Sequence, residues 1–440
     1  MKRWVGVTLF FCSGVWAQTG GELTLDQALE IGSQNSRALM VAASRSEAAE
    51  ARYGEINANR LPSFRFYGGY ARVSEGQFKI FDSAMFPFFR PPSVVPDNYT
   101  FRVGVTQPLF TGLRLANQAE AAELQSTASR LEEKMAEAEL RLNVTSAYWS
   151  LFQAFQAKEY VDENVTRLES HVRDTERMLK AGLATRNDLL KLEVQLANAR
   201  LSQIDARDEV SLATMNLNNI LGRPLDTEIR TVSTPENAPP ADSVLVLERD
   251  DFRLRERAWG LRPDLQSLGF QREAARKNAS AARGAYWPQV DLTAGYSYLR
   301  PNQKYQPITP EFLGSWDVGV QLQFDVWNWG KTSRQAEQAD ALLEQTDLQY
   351  AQMKDNIVLE VQRAALVVRR SKEKLGVAAL AVAQAEENRR TTDERYHHGL
   401  ATSSELLDAE VALLQAKTNR TGALVELALA KARLLRAMGS

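Results

Sequence analysis

One cysteine, three histidines and a single long apolar stretch are the scarcities of this 440-residue sequence. Cys12 alone closes no intrachain disulfide, so packing or assembly must hold the fold. Of the histidines His171, His397 and His398, the adjacent pair points to different sides of a helix, unlike an i,i+4 metal pair. No Gly-rich phosphate loop and no Ser/His/Asp arrangement stands out. No catalytic residue, metal ligand or cofactor is therefore assigned, and the chain reads as a non-enzyme. Charge of one sign is also lacking: 53 Lys and Arg against 55 Asp and Glu give −2, without the basic excess of a nucleic-acid binder. The apolar stretch Trp4–Trp16 falls short of the roughly 20 residues of a transmembrane helix. A multi-span helical membrane protein is excluded, whereas a β-barrel survives, because its strands leave a weak hydropathy signal. The mean hydropathy of −0.35 suits either a soluble protein or such a barrel with much helix outside the membrane.

That apolar stretch follows Lys2 and Arg3 and ends in Val15-Trp16-Ala17, the pattern of a secretory signal peptide over 1–17 with a cut before Gln18. Cys12 leaves with it.

The chain repeats itself. Gly182-Leu183-Ala184-Thr185 recurs as Gly399-Leu400-Ala401-Thr402, an offset of 217, and the match continues through Glu193-Val194 and Glu410-Val411. Two structural repeats are expected, 18–222 and 261–440, joined by a linker or equatorial segment over 223–260 in which Thr231–Ser233 and Val244–Leu247 suggest short strands. Proline and glycine are missing from Leu113–Lys180, and Lys331–His398 holds only Gly376. Such runs predict long helices over 113–180 and 331–398, each about 100 Å. Val165, Leu168, Val172, Thr175 and Leu179, then Leu189, Leu192, Leu196 and Ala199, space out as a coiled-coil seam folded back on itself. Gly182 and Gly399 mark the turns. Thr185 and Thr402 are the caps of return helices 185–221 and 402–437, with Asp188 and Glu405 at the acidic third position. Leu25 to about Arg60 reads as one shorter helix.

Between helices the period switches to two. Phe64, Phe66 and Tyr70; Phe101, Val103 and Val105; Val290 to Tyr298; and Trp316 to Phe324 predict four strands in β-hairpins 63–108 and 289–325, each about the ten residues that a tilted strand needs to cross a bilayer. Phe86, Phe88 and Phe89 sit in the first hairpin loop. The fold class is mainly α with a transmembrane β-barrel contribution. Four strands cannot close a barrel, but three chains supply twelve. A periplasmic coiled-coil scaffold with a soluble sheet is the alternative.

Leu23-Thr24-Leu25-Asp26-Gln27-Ala28-Leu29, Leu61-Pro62, Gln107-Pro108-Leu109-Phe110-Thr111-Gly112, Leu261-Arg262-Pro263-Asp264-Leu265, Trp287-Pro288 and the two Gly-Leu-Ala-Thr turns occur in an order and spacing that resembles the TolC-like outer membrane factors. The resemblance implies a homotrimer with a 12-stranded barrel in outer membrane lipid and a 12-helix periplasmic tunnel. It implies an exit duct of a tripartite efflux or type I secretion system, docked on a periplasmic adaptor protein and an inner membrane RND or ABC transporter. It places a periplasmic gate at Asp188, Tyr396, Glu405 and Asp408, with Asp188 pairing Tyr396, and adaptor docking at Gly182, Leu183, Thr185, Gly399, Leu400 and Thr402. Where the family pattern has an arginine two residues after the second glycine, this chain has Ala401, and Arg186 is the substitute on the other tip.

Overall fold

The computed structural model describes residues 21–74, 94–237, 251–306 and 308–439. The signal segment, most of the first hairpin loop with Phe86, Phe88 and Phe89, and the expected strand Val244–Leu247 lie outside the described residues. The chain divides into two units, one of Met1–Val41, Lys134–Arg262 and Asp355–Ser440, the other of Ala42–Glu133 and Pro263–Lys354. Each sequence repeat contributes to both units, so the repeats and the compact units do not coincide.

In chain order the elements are β1 (Glu22–Leu23), α1 (Leu25–Asn35), α2 (Arg37–Ala58), β2 (Ser63–Arg72), β3 (Asp97–Phe110), α3 (Arg114–Lys180), α4 (Arg186–Leu221), β4 (Arg230–Thr231), α5 (Asp251–Leu261), α6 (Pro263–Arg283), β5 (Gln289–Arg300), β6 (Leu313–Gln323), α7 (Lys331–His397) and α8 (Ser403–Ala437). Among the described residues no helix is long and apolar enough to cross a membrane.

The second unit holds an antiparallel sheet in the order β2-β3-β5-β6. Its register puts Phe66 beside Val103, Val103 beside Tyr296 and Tyr296 beside Trp316. The alternating residues thus gather on one face, since side chains alternate with period two. That face is bare: Phe64 is 74% exposed, Phe66 71% and Trp316 75%. On the opposite face Arg102 reaches across Gly295 to Asp317 at 3.3 Å, and Lys304 approaches Asp317 at 3.4 Å. Among the described residues β2 and β6 each have one unpaired edge.

The first unit is helical, and one of its cores surrounds Tyr148, Trp149, Leu151, Leu217 and Leu221. The buried Tyr148 hydroxyl donates to the Leu23 carbonyl at 2.8 Å and accepts from the Ser233 N–H at 3.0 Å. It thereby ties β1 to the segment after β4, its parallel partner. That pairing is non-local and left no pattern in the sequence. The expected strand Thr231–Ser233 is correspondingly shifted to Arg230–Thr231.

One helical reading is corrected. The single helix from Leu25 to Arg60 is broken at Ser36, whose extended backbone ends α1 and whose hydroxyl accepts from the Leu39 N–H at 3.4 Å, starting α2 as a cap. Within the segment 223–260, α5 begins at Asp251. It stops before Pro263, where proline fits the first position of α6 and disfavours helical backbone at Arg262.

Candidate functional site

The two hairpin tips are built by local chemistry. Beyond α3, Gly182 takes a left-handed backbone (φ 76°); the Leu183 N–H returns to the Met178 carbonyl at 2.8 Å and the Gly182 N–H to Leu179 at 3.0 Å. Beyond α7, Gly399 does the same (φ 70°), with the Leu400 N–H on Arg395 at 2.7 Å and its own N–H on Tyr396 at 3.0 Å. Both ends are Schellman motifs. Among the described residues no atom would crowd a Cβ at either glycine, and the left-handed backbone itself favours glycine there. Leu183 and Leu400 point outward, 81% and 68% exposed.

The return helices start differently. Thr185 accepts from the Asp188 N–H at 3.2 Å, and Asp188 accepts from the Thr185 N–H at 3.0 Å, a complete capping box. The other Asp188 oxygen accepts from the Ser403 hydroxyl at 2.9 Å. The Thr185 hydroxyl and N–H, then the Ser403 hydroxyl, hold the Asp188 carboxyl below its ordinary range. Thr402 also caps, accepting from the Glu405 N–H at 3.2 Å. The Glu405 side chain lies instead 3.8 Å from Arg395. Asp408 is exposed and has no hydrogen bond or ion-pair partner among the described residues. Arg186 is exposed and Ala401 half-buried.

Within one chain Asp188 and Tyr396 do not share a bond. The Tyr396 ring is buried and its hydroxyl meets that of Thr175, fully buried on α3, at 2.7 Å. Asp188–Ser403 and Tyr396–Thr175 each join the α3–α4 hairpin to the α7–α8 hairpin. Glu163–Lys417 at 3.1 Å and Tyr160–Thr421 at 3.0 Å continue this line of polar links.

A deeper group escaped the sequence reading. Glu410 on α8 is 1% exposed and accepts from Arg167 Nε of α3 at 2.8 Å; His171 Nε2 of α3 and Arg389 of α7 each lie 3.6 Å away. Burial pushes the Glu410 carboxyl up, but His171 and Arg167 outweigh it, and the group titrates below its ordinary value. The sequence carried one signal of this cluster: Glu410 interrupts an apolar series of Leu406, Ala409, Leu413 and Ala416, all buried.

The outer membrane efflux protein family matches residues 28–223 and 254–440. The outer membrane efflux protein BepC of Brucella suis biovar 1 is 24% identical over 330 residues, 72% of this chain and 68% of BepC. The toluene efflux pump outer membrane protein TtgC of Pseudomonas putida is 25% identical over 441 residues, 96% of this chain and 84% of TtgC. Among solved structures, the outer membrane protein VceC of Vibrio cholerae superposes with a TM-score of 0.78 at 18% identity, covering 94% of this chain and 96% of VceC. CusC superposes with a TM-score of 0.80 at 18% identity, covering 94% and 92%. The fold is that of these channels, and the chain belongs to the outer membrane efflux protein family.

Proposed function

We propose that three copies of this chain form the exit duct of a tripartite efflux system, or of a type I secretion system, conducting cargo passively from an inner membrane pump to the exterior. The observation that carries this reading is the two-faced sheet. Phe64, Phe66, Tyr296 and Trp316 are bare on one face, polar and charged residues line the other, and both sheet edges are unpaired among the described residues. Lipid satisfies the apolar face, water the polar one, and neighbouring copies the edges. A soluble scaffold would have to leave that aromatic face in water, at a hydrophobic cost of about 25 cal/mol per Å².

The tips form the gate and the dock. Asp188–Ser403 and Tyr396–Thr175 hold the hairpins together, while Glu405 and Asp408 bring six carboxylates from three copies to the tunnel mouth. Leu183 and Leu400, set by Gly182 and Gly399 and the caps Thr185 and Thr402, offer apolar knobs to a periplasmic adaptor, which links the duct to an RND or ABC transporter.

Electrophoresis of membrane fractions without heating tests the duct. A trimer-sized band in the outer membrane, together with loss of efflux on deletion of the chain, is the expected result. A monomer in the soluble periplasm overturns the duct reading.

A further inference from the structure

We propose that the junction where α4 ends against the start of α2 is a binding site for a small acidic sugar, a saccharide that carries a phosphate or a carboxylate. The two repeats build this junction alike. The end of α4 closes on Asn35: a Cβ at Gly222 (φ 68°) would come within 2.9 Å of the Asn35 carbonyl oxygen. The end of α8 closes on Leu261: a Cβ at Gly439 (φ 84°) would come within 2.7 Å of the Leu261 carbonyl carbon. The buried residues keep step, with Val144, Leu217 and Leu221 standing 217 positions before Val361, Leu434 and Met438. The repeats fill the junction differently. In the second, the Arg262 guanidinium donates to Glu360 of α7 at 2.6 Å and to the Ala437 carbonyl of α8 at 3.2 Å. In the first, Ser36 follows Asn35 as Arg262 follows Leu261, and Asn143 and Ile220 stand in the places of Glu360 and Ala437. The internal ion pair is gone. A cavity of about 580 Å³ lined by Ser36, Asn143 and Ile220 takes its place.

The lining selects the ligand. Arg37 and Arg223 are the only charged residues among those that line the cavity. Neither guanidinium has a hydrogen-bond or ion-pair partner among the described residues. An anion gives both a partner, since guanidinium presents paired N–H donors to phosphate or carboxylate oxygens. Asn143, Ser146 and Ser150 follow one face of α3, and Asn216 and Asn219 lie near the end of α4. Their side chains also lack partners among the described residues. Amides and hydroxyls donate and accept, as the hydroxyls of a sugar require. Short side chains make the room: Ser146 and Asn219 stand where the second repeat has Arg363 and Arg436. The volume falls within the roughly 300–1,000 Å³ of small-molecule sites and exceeds what a bare oxyanion fills. All these residues belong to one unit of one chain, so the site does not depend on the duct reading.

Isothermal titration of the full-length protein in detergent tests the site. Glucose 6-phosphate and glucuronate are the probes and distinguish the two anions, while glucose and inorganic phosphate each supply half of the ligand. At least one acidic sugar is expected to bind with a Kd below about 1 mM, and both half-ligands at least tenfold more weakly. Arg37→Gln with Arg223→Gln is expected to weaken binding at least tenfold. Asn143→Glu restores the carboxylate that the second repeat has at Glu360 and gives the arginines an internal partner. It leaves both arginines in place and is also expected to weaken binding at least tenfold. Absence of binding by both acidic sugars overturns the site, as does unchanged affinity in the paired arginine variant. Glucose or inorganic phosphate binding as tightly as the acidic sugars overturns the assignment of the ligand.

Discussion

At the first tip Asp188 uses both carboxylate oxygens inside the fold, one on the Thr185 N–H at 3.0 Å and one on the Ser403 hydroxyl at 2.9 Å. At the second tip Thr402 caps alone, Glu405 reaches only Arg395 at 3.8 Å, and Asp408 is unpartnered among the described residues. The same Gly-Leu-Ala-Thr turn and the same Schellman ends therefore support two chemistries. One tip has turned its acid into a brace between helices. The other keeps two acids on the surface. Duplication conserved what the backbone needs, the left-handed glycine and the hydroxyl cap, and let the charges diverge.

The two tips differ most in stability. Asp188→Ala removes a capping-box bond and the link to Ser403, and charge-assisted bonds of this kind contribute about 2 kcal/mol. Hydrogen exchange of the first-turn amides of α4 in the assembled protein is expected to rise roughly 30-fold, the rate equivalent of that energy. Glu405→Ala is expected to raise exchange in the first turn of α8 by less than about threefold, because an exposed pair contributes little. Equal effects at both tips would show that the brace is no stronger than the surface pair. The next prediction inverts the order. Glu405→Gln with Asp408→Asn is expected to lower the cation-over-anion permeability ratio of the reconstituted channel on the order of tenfold, because a ring of like charges concentrates counter-ions. Asp188→Asn is expected to leave that ratio unchanged. A loss of selectivity in Asp188→Asn would place the first tip on the ion path as well.

What the sequence disclosed follows the range of the forces involved. The turns at Gly182 and Gly399 and the caps at Thr185 and Thr402 were legible because each depends on residues within five positions of itself. The strands were legible because one bare face imposes a strict alternation, seen in Phe64 and Phe66 and again from Trp316 to Leu322. The break at Ser36 was passed over, although Gly32, Ser33, Asn35 and Ser36 form a cluster of turn and cap residues just ahead of the Ala-rich α2. The β1–β4 pairing was not legible, since two residues on each strand leave no period. The order β2-β3-β5-β6 joins hairpins from different repeats through β3 and β5, a choice that no local pattern encodes. The Glu410 cluster needs α3, α7 and α8 together, and an acid in an apolar series was its only trace. Tyr396 was singled out through resemblance, yet the hydroxyl it meets in this chain is Thr175.

The smallest expected effect is a pH dependence confined to one tip. The Thr185 hydroxyl and N–H and the Ser403 hydroxyl stabilise the ionised form of Asp188, and its carboxyl titrates below the ordinary aspartate value of 3.8. A carboxyl with a depressed folded-state value binds fewer protons folded than unfolded. Its contribution is therefore complete above the ordinary value and is lost as pH falls through the folded one. Between pH 7 and 5 the first tip is expected to be indifferent to acid. As pH falls past the ordinary value of 3.8 and through the lower folded-state one, the brace protonates, and exchange at the start of α4, corrected for its intrinsic pH dependence, is expected to rise. Asp188→Asn cannot titrate, so its tip is expected to be looser at pH 7 and to show a flat profile down to the same acidity. A profile in Asp188→Asn that still steepens below pH 4 would assign the acid response to another group in the seam. Glu410 is then the next carboxyl to replace, because it too titrates below its ordinary range and faces both hairpins.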